Sequence, residues 1–338
     1  MLLSPTQSRQ LLNHAFEQGY AILAVNADSH AAVSDCLEAA RLADAPLIIE
    51  TSLWQIKGQS YGLGDPILGV ARYLSDLMVL ANSERYRHIP VIYHTDHIKG
   101  PEMMDILKAA IQGIGTEMHG QSIRLSASTI SLDASDLSEE QNIDHMLKLC
   151  QFAAEAGVEV TLEMESAVDD RITPAEETEK LIGAVEAQFP GKIALWAPGV
   201  GTQHGFTSED GYAGFQPKTI EDNVRLLQQI TGRNIGIALH GSTGLPNEKL
   251  SAAAKCGVTK VNWSSESLYL RSMAAKQYYS ENSEKLERQH PEWKNTAMDN
   301  GVASFVSKVY VPKVVERIKV LGAEGMAGRF GFLGSPNH

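Results

Sequence analysis

The sequence has few cysteines, no long apolar run and a deficit of positive charge, and each of these excludes a class of protein. Its cysteines, Cys36, Cys150 and Cys256, are odd in number and widely separated, which excludes a disulfide framework and a thiolate metal cluster and predicts a reducing compartment. No stretch approaches the roughly 18 apolar residues that a membrane-spanning helix needs. The first residues also lack a basic segment followed by an apolar one. We therefore expect a cytoplasmic protein that does not enter a membrane.

The charge balance limits the partners. Asp and Glu number 41 and Lys and Arg 29, which gives a net charge of −12. This charge repels nucleic acids and anionic membrane surfaces at long range, so an anionic ligand has to be held by local amides, lysines or a metal. The other composition values, 43% hydrophobic residues with 28 Gly and 13 Pro over 338 residues, are typical of a globular protein with a sizeable core. A small-molecule partner fits best.

Short apolar runs alternate with stretches of helical spacing along the chain. Eight such units predict a single (β/α)₈ TIM barrel domain over residues 1–338, and a doubly wound open sheet is the alternative. An extra helix is expected within residues 53–89, and residues 265–338 are expected to form a helical C-terminal tail. The predicted strands cover residues 21–26, 46–51, 90–96, 129–135, 158–165, 192–199, 235–241 and 259–264.

Three histidines, His97, His204 and His240, stand at or just beyond the ends of predicted strands. One such histidine alone is more often structural, but in a barrel all three would meet at one rim. Three imidazole ligands leave a fourth position open for water or substrate, which is what a catalytic zinc needs. The sequence thus indicates a metal-dependent enzyme. His94 has two open interpretations, as a core histidine or as an outer partner of Asp96 or of a ligand.

Other polar residues also follow the predicted strands, where barrels carry their active sites. Asp96 is placed to move a proton that a metal has made acidic, or else it only binds loop amides. The segment from His240 to Gly244 is either a simple turn or a loop whose amides surround an oxyanion. Asn262, Ser264 and Ser265 lie at the end of the last predicted strand, where barrels often bind phosphate. A phosphorylated substrate is the resulting expectation.

At this point the motifs resemble those of the class II, metal-dependent ketose-bisphosphate aldolases, which include fructose-bisphosphate and tagatose-bisphosphate aldolases. The resemblance spans nearly the whole chain, up to the helical tail. The segments that carry it are AVNADSHAAVSDCLEAARLADAPLIIETS, HTDH, SLDAS, LEMES, GTQHG, LHGSTG and KVN.

The resemblance implies a role for each matching residue. Asp96 would be the catalytic acid/base, and His97, His204 and His240 would bind zinc, with Glu165 as an additional or alternative ligand. Asn262, in the KxN motif with Lys260, would help to bind and polarise the enediolate. The resemblance implies that Gly205, Gly241 and Thr243 hold the dihydroxyacetone phosphate unit and that Asn26 and Ser52 lie on the aldehyde side. Ser242, Ser264 and Ser265 are also expected to bind substrate, from their place in the loops after the last two strands.

Several segments depart from the family pattern. Ser264 replaces an Asp in NWSSE, and Ser242 replaces the second Gly of the family's HGGSG segment. The loop after the fifth strand, which in the family carries a mobile acid, reads SAVDDRIT, so Asp169 or Asp170 would have to substitute. An insertion, GTEMHGQSIRLSAS, precedes the fourth strand. We expect the metal and carbon-acid chemistry to be retained and substrate recognition to be altered.

The leading hypothesis is therefore a zinc-dependent aldolase, with one zinc per chain that Co²⁺ or another divalent ion can replace. It would reversibly cleave a phosphorylated ketose, or a close analogue, into a dihydroxyacetone-phosphate-like donor and an aldehyde through a metal-stabilised enediolate. One alternative is a catalytically silent relative that binds a sugar phosphate or supports a partner subunit. Another is a metal-dependent lyase or isomerase with a non-phosphorylated substrate. The resemblance also implies a homo-oligomer, a dimer or tetramer.

Overall fold

The computed structural model describes residues 1–118, 121–166, 169, 171–206 and 214–330. Eight of the strands in this part of the chain coincide with the eight predicted runs, and a further pair forms a hairpin. In chain order the strands are β1 (Ile22–Asn26), β2 (Leu47–Thr51), β3 (Val91–Ile98), β4 (Ile114–Met118), β5 (Gln121–Leu125), β6 (Thr129–Leu132), β7 (Leu162–Glu165), β8 (Ile193–Ala197), β9 (Gly236–Leu239) and β10 (Val258–Trp263).

The eight parallel strands close on themselves in the order β1, β10, β9, β8, β7, β6, β3, β2. This confirms the predicted (β/α)₈ barrel. Strands β4 and β5 pair only with each other, as an antiparallel hairpin. They account for the insertion noted before the fourth barrel strand.

Helices follow the strands and surround the barrel. The extra helix expected within residues 53–89 is present as two, and the described part of the tail, residues 265–330, is mainly helical as predicted. In chain order the α-helices of the described residues are α1 (Pro5–Gln18), α2 (His30–Ala43), α3 (Leu53–Lys57), α4 (Pro66–Ala81), α5 (Met103–Gln112), α6 (Glu139–Ala156), α7 (Ala175–Gln188), α8 (Pro217–Thr231), α9 (Asn247–Lys255), α10 (Ser265–Glu281), α11 (Trp293–Ala297) and α12 (Asp299–Val320).

Local sequence signals explain several helix ends. The side chains of Ser29 and Ser138 cap the first turns of α2 and α6, where they accept hydrogen bonds from backbone N–H groups. Gly157 and Gly232 end α6 and α8 in the left-handed conformation. The serine caps thus mark where two strand-to-helix loops end, and the glycines mark where two helix-to-strand loops begin.

The tail helices are held to the barrel wall by a buried polar contact. Asp35 of α2 accepts hydrogen bonds from Arg271 of α10 and from Ser307 of α12, and the guanidinium of Arg271 stacks over the Tyr310 ring at 4.8 Å. One carboxylate thus joins three helices. Within the part of the chain that the structure covers, no helix is both long and apolar enough to cross a membrane.

Strand β3 is irregular where it reaches the rim. Its register with β6 shifts between Thr95 and Ile98, and His97 has a positive φ of 48°, which is unusual for a residue other than glycine. In a regular strand Asp96 and His97 would point to opposite faces. Because of the bulge, both side chains face the carboxyl end of the barrel.

Candidate active site

A cavity of about 610 Å³ opens at the carboxyl ends of the barrel strands. It brings together the predicted site residues from all parts of the chain. Those that line it are Asn26, Ser52, Asp96, His97, Glu165, His204, Gly205, Gly241, Ser242, Thr243, Asn262, Ser264 and Ser265. His240 is 1% exposed and lies against the rings of His97 and His204.

The three histidines converge as predicted. The ring centroids are 5.0 Å apart for His97 and His204, 4.7 Å for His97 and His240, and 5.7 Å for His204 and His240. One ring nitrogen of each lies within 4.8 Å of the other two. Such a group can hold a divalent cation and leave a coordination position open to the cavity.

The hydrogen bonds of these histidines fit a metal centre. Among the described residues, Nε2 of His97, Nδ1 of His240 and Oε2 of Glu165 are buried without a hydrogen-bond partner. Buried polar atoms normally have partners, so a cluster of unpartnered nitrogen and oxygen atoms indicates a ligand. The opposite ring nitrogen is occupied in two cases, by Glu163 at His240 and by Asp169 at His204. A carboxylate behind the ligating imidazole is typical of metal sites.

Glu165 belongs to a second group of potential metal ligands, which also contains His97. Its Oε2 lies 3.6 Å from Nδ1 of His97, and its Oε1 accepts a hydrogen bond from the Ala134 amide at 3.0 Å. His97, Asp133 and Glu165 also bring ligand atoms within 4.8 Å of one another. Burial raises the pKa of Glu165 to about 7, although His97 opposes that shift. Glu165 is therefore close enough to be an additional or alternative ligand.

Asp96 is held between two amides at the bottom of the cavity. Its Oδ2 accepts a hydrogen bond from Asn26 at 3.1 Å, and its Oδ1 accepts one from Asn262 at 3.0 Å. Burial alone would raise the pKa of Asp96, but the charges of His97 and Lys260 outweigh burial, so the pKa lies well below its usual range. The carboxylate is ionised and can accept a proton.

Below the cavity, a buried ion cluster fills the barrel interior. The ammonium of Lys260 lies 3.2 Å from Glu50, 3.0 Å from Glu163 and 3.9 Å from Asp96. All four side chains are at most 2% exposed. Burial and Asp96 raise the pKa of Glu50 to about 8. The sequence interpretation missed Glu50, because it lies inside an apolar run and only its inward position in β2 distinguishes it.

His94 is also part of the barrel interior. It is fully buried, its Nδ1 lies 2.7 Å from the Thr129 hydroxyl and its Nε2 lies 3.6 Å from Glu163. Burial and Lys260 lower its pKa to about 3. His94 therefore lies beside Glu163, beneath the three converging imidazoles.

Backbone contacts join the loops that carry His204 and His240. Gly241 has a φ of 64°, and a Cβ at this position would lie 2.5 Å from the carbonyl oxygen of Gln203. Only glycine allows this approach without displacing backbone. Ser242 donates its hydroxyl to the carbonyl of Asn262, and Arg317 donates to the carbonyl of Ser242 at 3.2 Å. The Gly-Ser-Thr loop is thus fixed beside the start of α10.

Two residues that the sequence did not single out, Trp54 and Lys99, also line the cavity. Trp54 lines the cavity although its side chain is 87% exposed, and Lys99 lies 3.1 Å from the Asp133 carboxylate. Asp169 accepts hydrogen bonds from both the backbone N–H and Nδ1 of His204, each at 2.8 Å. Asp170, the other candidate for the loop acid, lies outside the described residues.

Comparisons with known proteins agree with this geometry. The family model described as "Fructose-bisphosphate aldolase class-II" matches residues 6–326. The chain is 27% identical over 282 residues to a fructose-bisphosphate aldolase of Helicobacter pylori, covering 76% of this chain and 81% of the relative. It is 23% identical over 324 residues to a sulfofructosephosphate aldolase of Alkalicoccus urumqiensis, covering 94% and 97%.

Solved structures show the same fold. A fructose-bisphosphate aldolase from Campylobacter jejuni superimposes with a TM-score of 0.78 at 20% identity, covering 96% of each chain. The YdjI aldolase from Escherichia coli K12 superimposes with a TM-score of 0.68 at 19% identity, covering 97% of this chain and all of the other. The resemblance inferred from the motifs is thereby confirmed.

Proposed function

Because the chain belongs to the class-II fructose-bisphosphate aldolase family, and is thus an aldolase, we propose that it is a zinc-dependent enzyme acting on a phosphorylated ketose. It would reversibly cleave that ketose, or a close analogue, into a dihydroxyacetone-phosphate-like donor and an aldehyde. The observation that carries the proposal is the convergence of three imidazoles beside a carboxylate held by two amides. A binding protein without catalysis has little use for both features.

The proposed metal ligands are His97, His204 and His240, with Glu165 as an additional or alternative ligand. The unpartnered nitrogens of His97 and His240 support this assignment. A divalent cation bound there would supply Lewis acidity toward the oxygens of the donor, which favours the enediolate that cleavage leaves behind. Imidazole ligands accept several divalent ions, so Zn²⁺ is proposed with Co²⁺ as a possible substitute.

Asp96 is the proposed acid/base. In cleavage it would accept the proton of the C4 hydroxyl, and in synthesis it would return that proton. Its hydrogen bonds to Asn26 and Asn262 support this role, because they hold the carboxyl group in a fixed position at the cavity floor. The buried Oδ1 of Asn262 has no partner among the described residues and could accept a hydrogen bond from a donor hydroxyl. We therefore assign Asn262 to donor binding.

The proposed phosphate position lies between the Gly241–Thr243 loop and the start of α10. Gly241, Ser242, Thr243, Ser264 and Ser265 line the cavity here. Backbone amides in such a loop, together with the positive end of a helix, favour an anion. Gly205 would lie beside the donor, and Asn26 and Ser52 are the proposed residues on the aldehyde side.

An aldol-cleavage assay tests this function. The purified protein would be offered ketose mono- and bisphosphates and their unphosphorylated parents, and aldehyde release would be followed. We expect cleavage of at least one phosphorylated ketose, loss of cleavage after chelation, and recovery when zinc is added. Cleavage of an unphosphorylated substrate alone would contradict the phosphate assignment. No cleavage of any substrate with zinc present would favour the silent relative.

We also propose that the protein works in the cytoplasm as a homo-oligomer. The odd and scattered cysteines support a reducing compartment. The helical tail offers exposed apolar side chains, such as Tyr269 and Met273, that suit a subunit contact. Sedimentation of the purified protein would give the number of subunits.

A further inference from the structure

We propose that Glu163 is a positioning residue for the metal centre, which holds His240 with its Nδ1 free to bind the metal. This inference rests on the proposed function, because it assumes that the three histidines bind a cation. Glu163 does not line the cavity, and the inference extends the proposed metal site to include it.

The geometry places Glu163 behind His240. Oε1 of Glu163 lies 3.0 Å from Nε2 of His240, on the side of the ring opposite the unpartnered Nδ1. Both side chains are fully buried. The contact therefore has no competition from bulk water, and it fixes the ring orientation.

The chemistry of this hydrogen bond decides the tautomer of His240. The ammonium of Lys260 lies against both oxygens of Glu163, and an adjacent positive charge favours the carboxylate form. An ionised carboxylate only accepts hydrogen bonds. Nε2 of His240 must therefore carry the proton, which leaves a lone pair on Nδ1, the buried ring nitrogen that has no partner among the described residues.

Lys260 in turn holds Glu163 in place. Its ammonium lies 3.0 Å from Oε2 and 3.3 Å from Oε1 of Glu163, so the carboxylate cannot rotate without losing an ion pair. The same ammonium lies 3.2 Å from Glu50, a second fully buried carboxylate. Glu50 and Glu163 thus share one cation, but the hydrogen bond to His240 belongs to Glu163.

This difference provides a matched pair of variants. Glu163→Gln and Glu50→Gln each replace a buried carboxyl group next to Lys260 with an amide, and only the first weakens the acceptor behind His240. Zinc affinity would be measured for the full-length protein by competition with a chelating dye. We expect Glu163→Gln to weaken zinc binding about 10- to 100-fold, as is typical when the outer partner of a ligating histidine is lost. Glu50→Gln is expected to leave zinc affinity close to that of the wild type.

A second variant and a second measurement distinguish loss of the positioning role from misfolding of the protein. Glu163→Asp keeps the charge next to Lys260 but shortens the side chain, so it should also weaken zinc binding. In ¹⁵N-histidine spectra of the metal-free protein, His240 should be protonated at Nε2 in the wild type. It should lose that single tautomer in Glu163→Gln.

The outcomes separate the two proposals. A wild type that fails to bind zinc would refute the proposed function. A wild type that binds zinc, with Glu163→Gln and Glu163→Asp both binding equally well, would refute the positioning role alone. Equal losses in Glu163→Gln and Glu50→Gln would also refute that role, because the effect would then follow the loss of any carboxyl group next to Lys260.

Discussion

Replacement of Asp96 by Asn is the sharpest test of the proposed acid/base. The change keeps the size of the side chain but removes the charge and turns one acceptor into a donor. Both oxygens of Asp96 accept hydrogen bonds from side-chain amides, at 3.1 Å from Asn26 and 3.0 Å from Asn262. In Asp96→Asn one of these amides would face another N–H donor.

The expected magnitude follows from these contacts. Loss of an acid/base group typically costs about 10² to 10⁴ in rate. At 1.36 kcal/mol for each factor of ten, this corresponds to roughly 3 to 5 kcal/mol of activation free energy. The unpaired amide adds about 1 to 3 kcal/mol of destabilisation. We thus expect a large loss of kcat with a modest fall in Tm.

The assay compares kcat, bound metal and Tm in wild type, Asp96→Asn and the surface control Asp105→Asn. Asp105 lies exposed on α5, so the control should resemble the wild type in all three. The account predicts that Asp96→Asn keeps its metal and loses turnover. Turnover close to that of the wild type in a metal-loaded Asp96→Asn protein would refute the proton-transfer role.

Three further changes have expected outcomes. Gly241→Ala should lower Tm and zinc content together. A Cβ at this position would lie 2.5 Å from the Gln203 carbonyl oxygen, and a left-handed φ costs about 1 to 2 kcal/mol for a residue with a side chain. An unchanged Tm in this variant would contradict the prediction. The pKa of Glu50 rises on folding from 4.5 to about 8, so the stability linked to its bound proton is present below about pH 4.5 and is lost as the pH rises toward 8. This decline in stability amounts to roughly 5 kcal/mol at 1.36 kcal/mol for each pKa unit, and Glu50→Gln should flatten it. Thermal unfolding of the wild type and the variant at about pH 5 and pH 8 measures the decline. An equal decline in the two proteins would be inconsistent with a buried proton on Glu50. Asp35→Ala should loosen the tail by leaving Arg271 unpaired, with a loss of about 3 to 5 kcal/mol in urea unfolding; an unchanged midpoint would show that the tail is held by other contacts.

The sequence predicted the barrel because its strands are buried on both faces and therefore appear as apolar runs. The same alternation of strand and helix put the three histidines at equivalent strand ends, and the structure brings their rings within 5.7 Å of one another. Asn26 and Ser52 also lie at the ends of predicted strands, and the resemblance to a family then implied their place on the aldehyde side. Both line the cavity.

Other features depend on tertiary contacts that no local pattern encodes. The bulge at His97 turns two consecutive side chains toward the site, whereas simple alternation would separate them. Glu50 and Lys260 lie on β2 and β10, which are far apart in the chain but pair with opposite sides of β1, so their contact follows from closure of the sheet. Trp54 reaches the cavity from a short helix after β2, and nothing in its neighbourhood in the sequence distinguishes it from a surface residue.

The most direct test of the account is the metal content of the purified protein by elemental analysis. The wild type would be compared with His204→Ala and with a control, His290→Ala, whose histidine lies in the tail and does not line the cavity. The account predicts about one zinc per chain in the wild type and the control, with loss of zinc in His204→Ala. A wild type that stays metal-free after exposure to zinc, or a His204→Ala protein that keeps its zinc, would contradict the three-histidine centre.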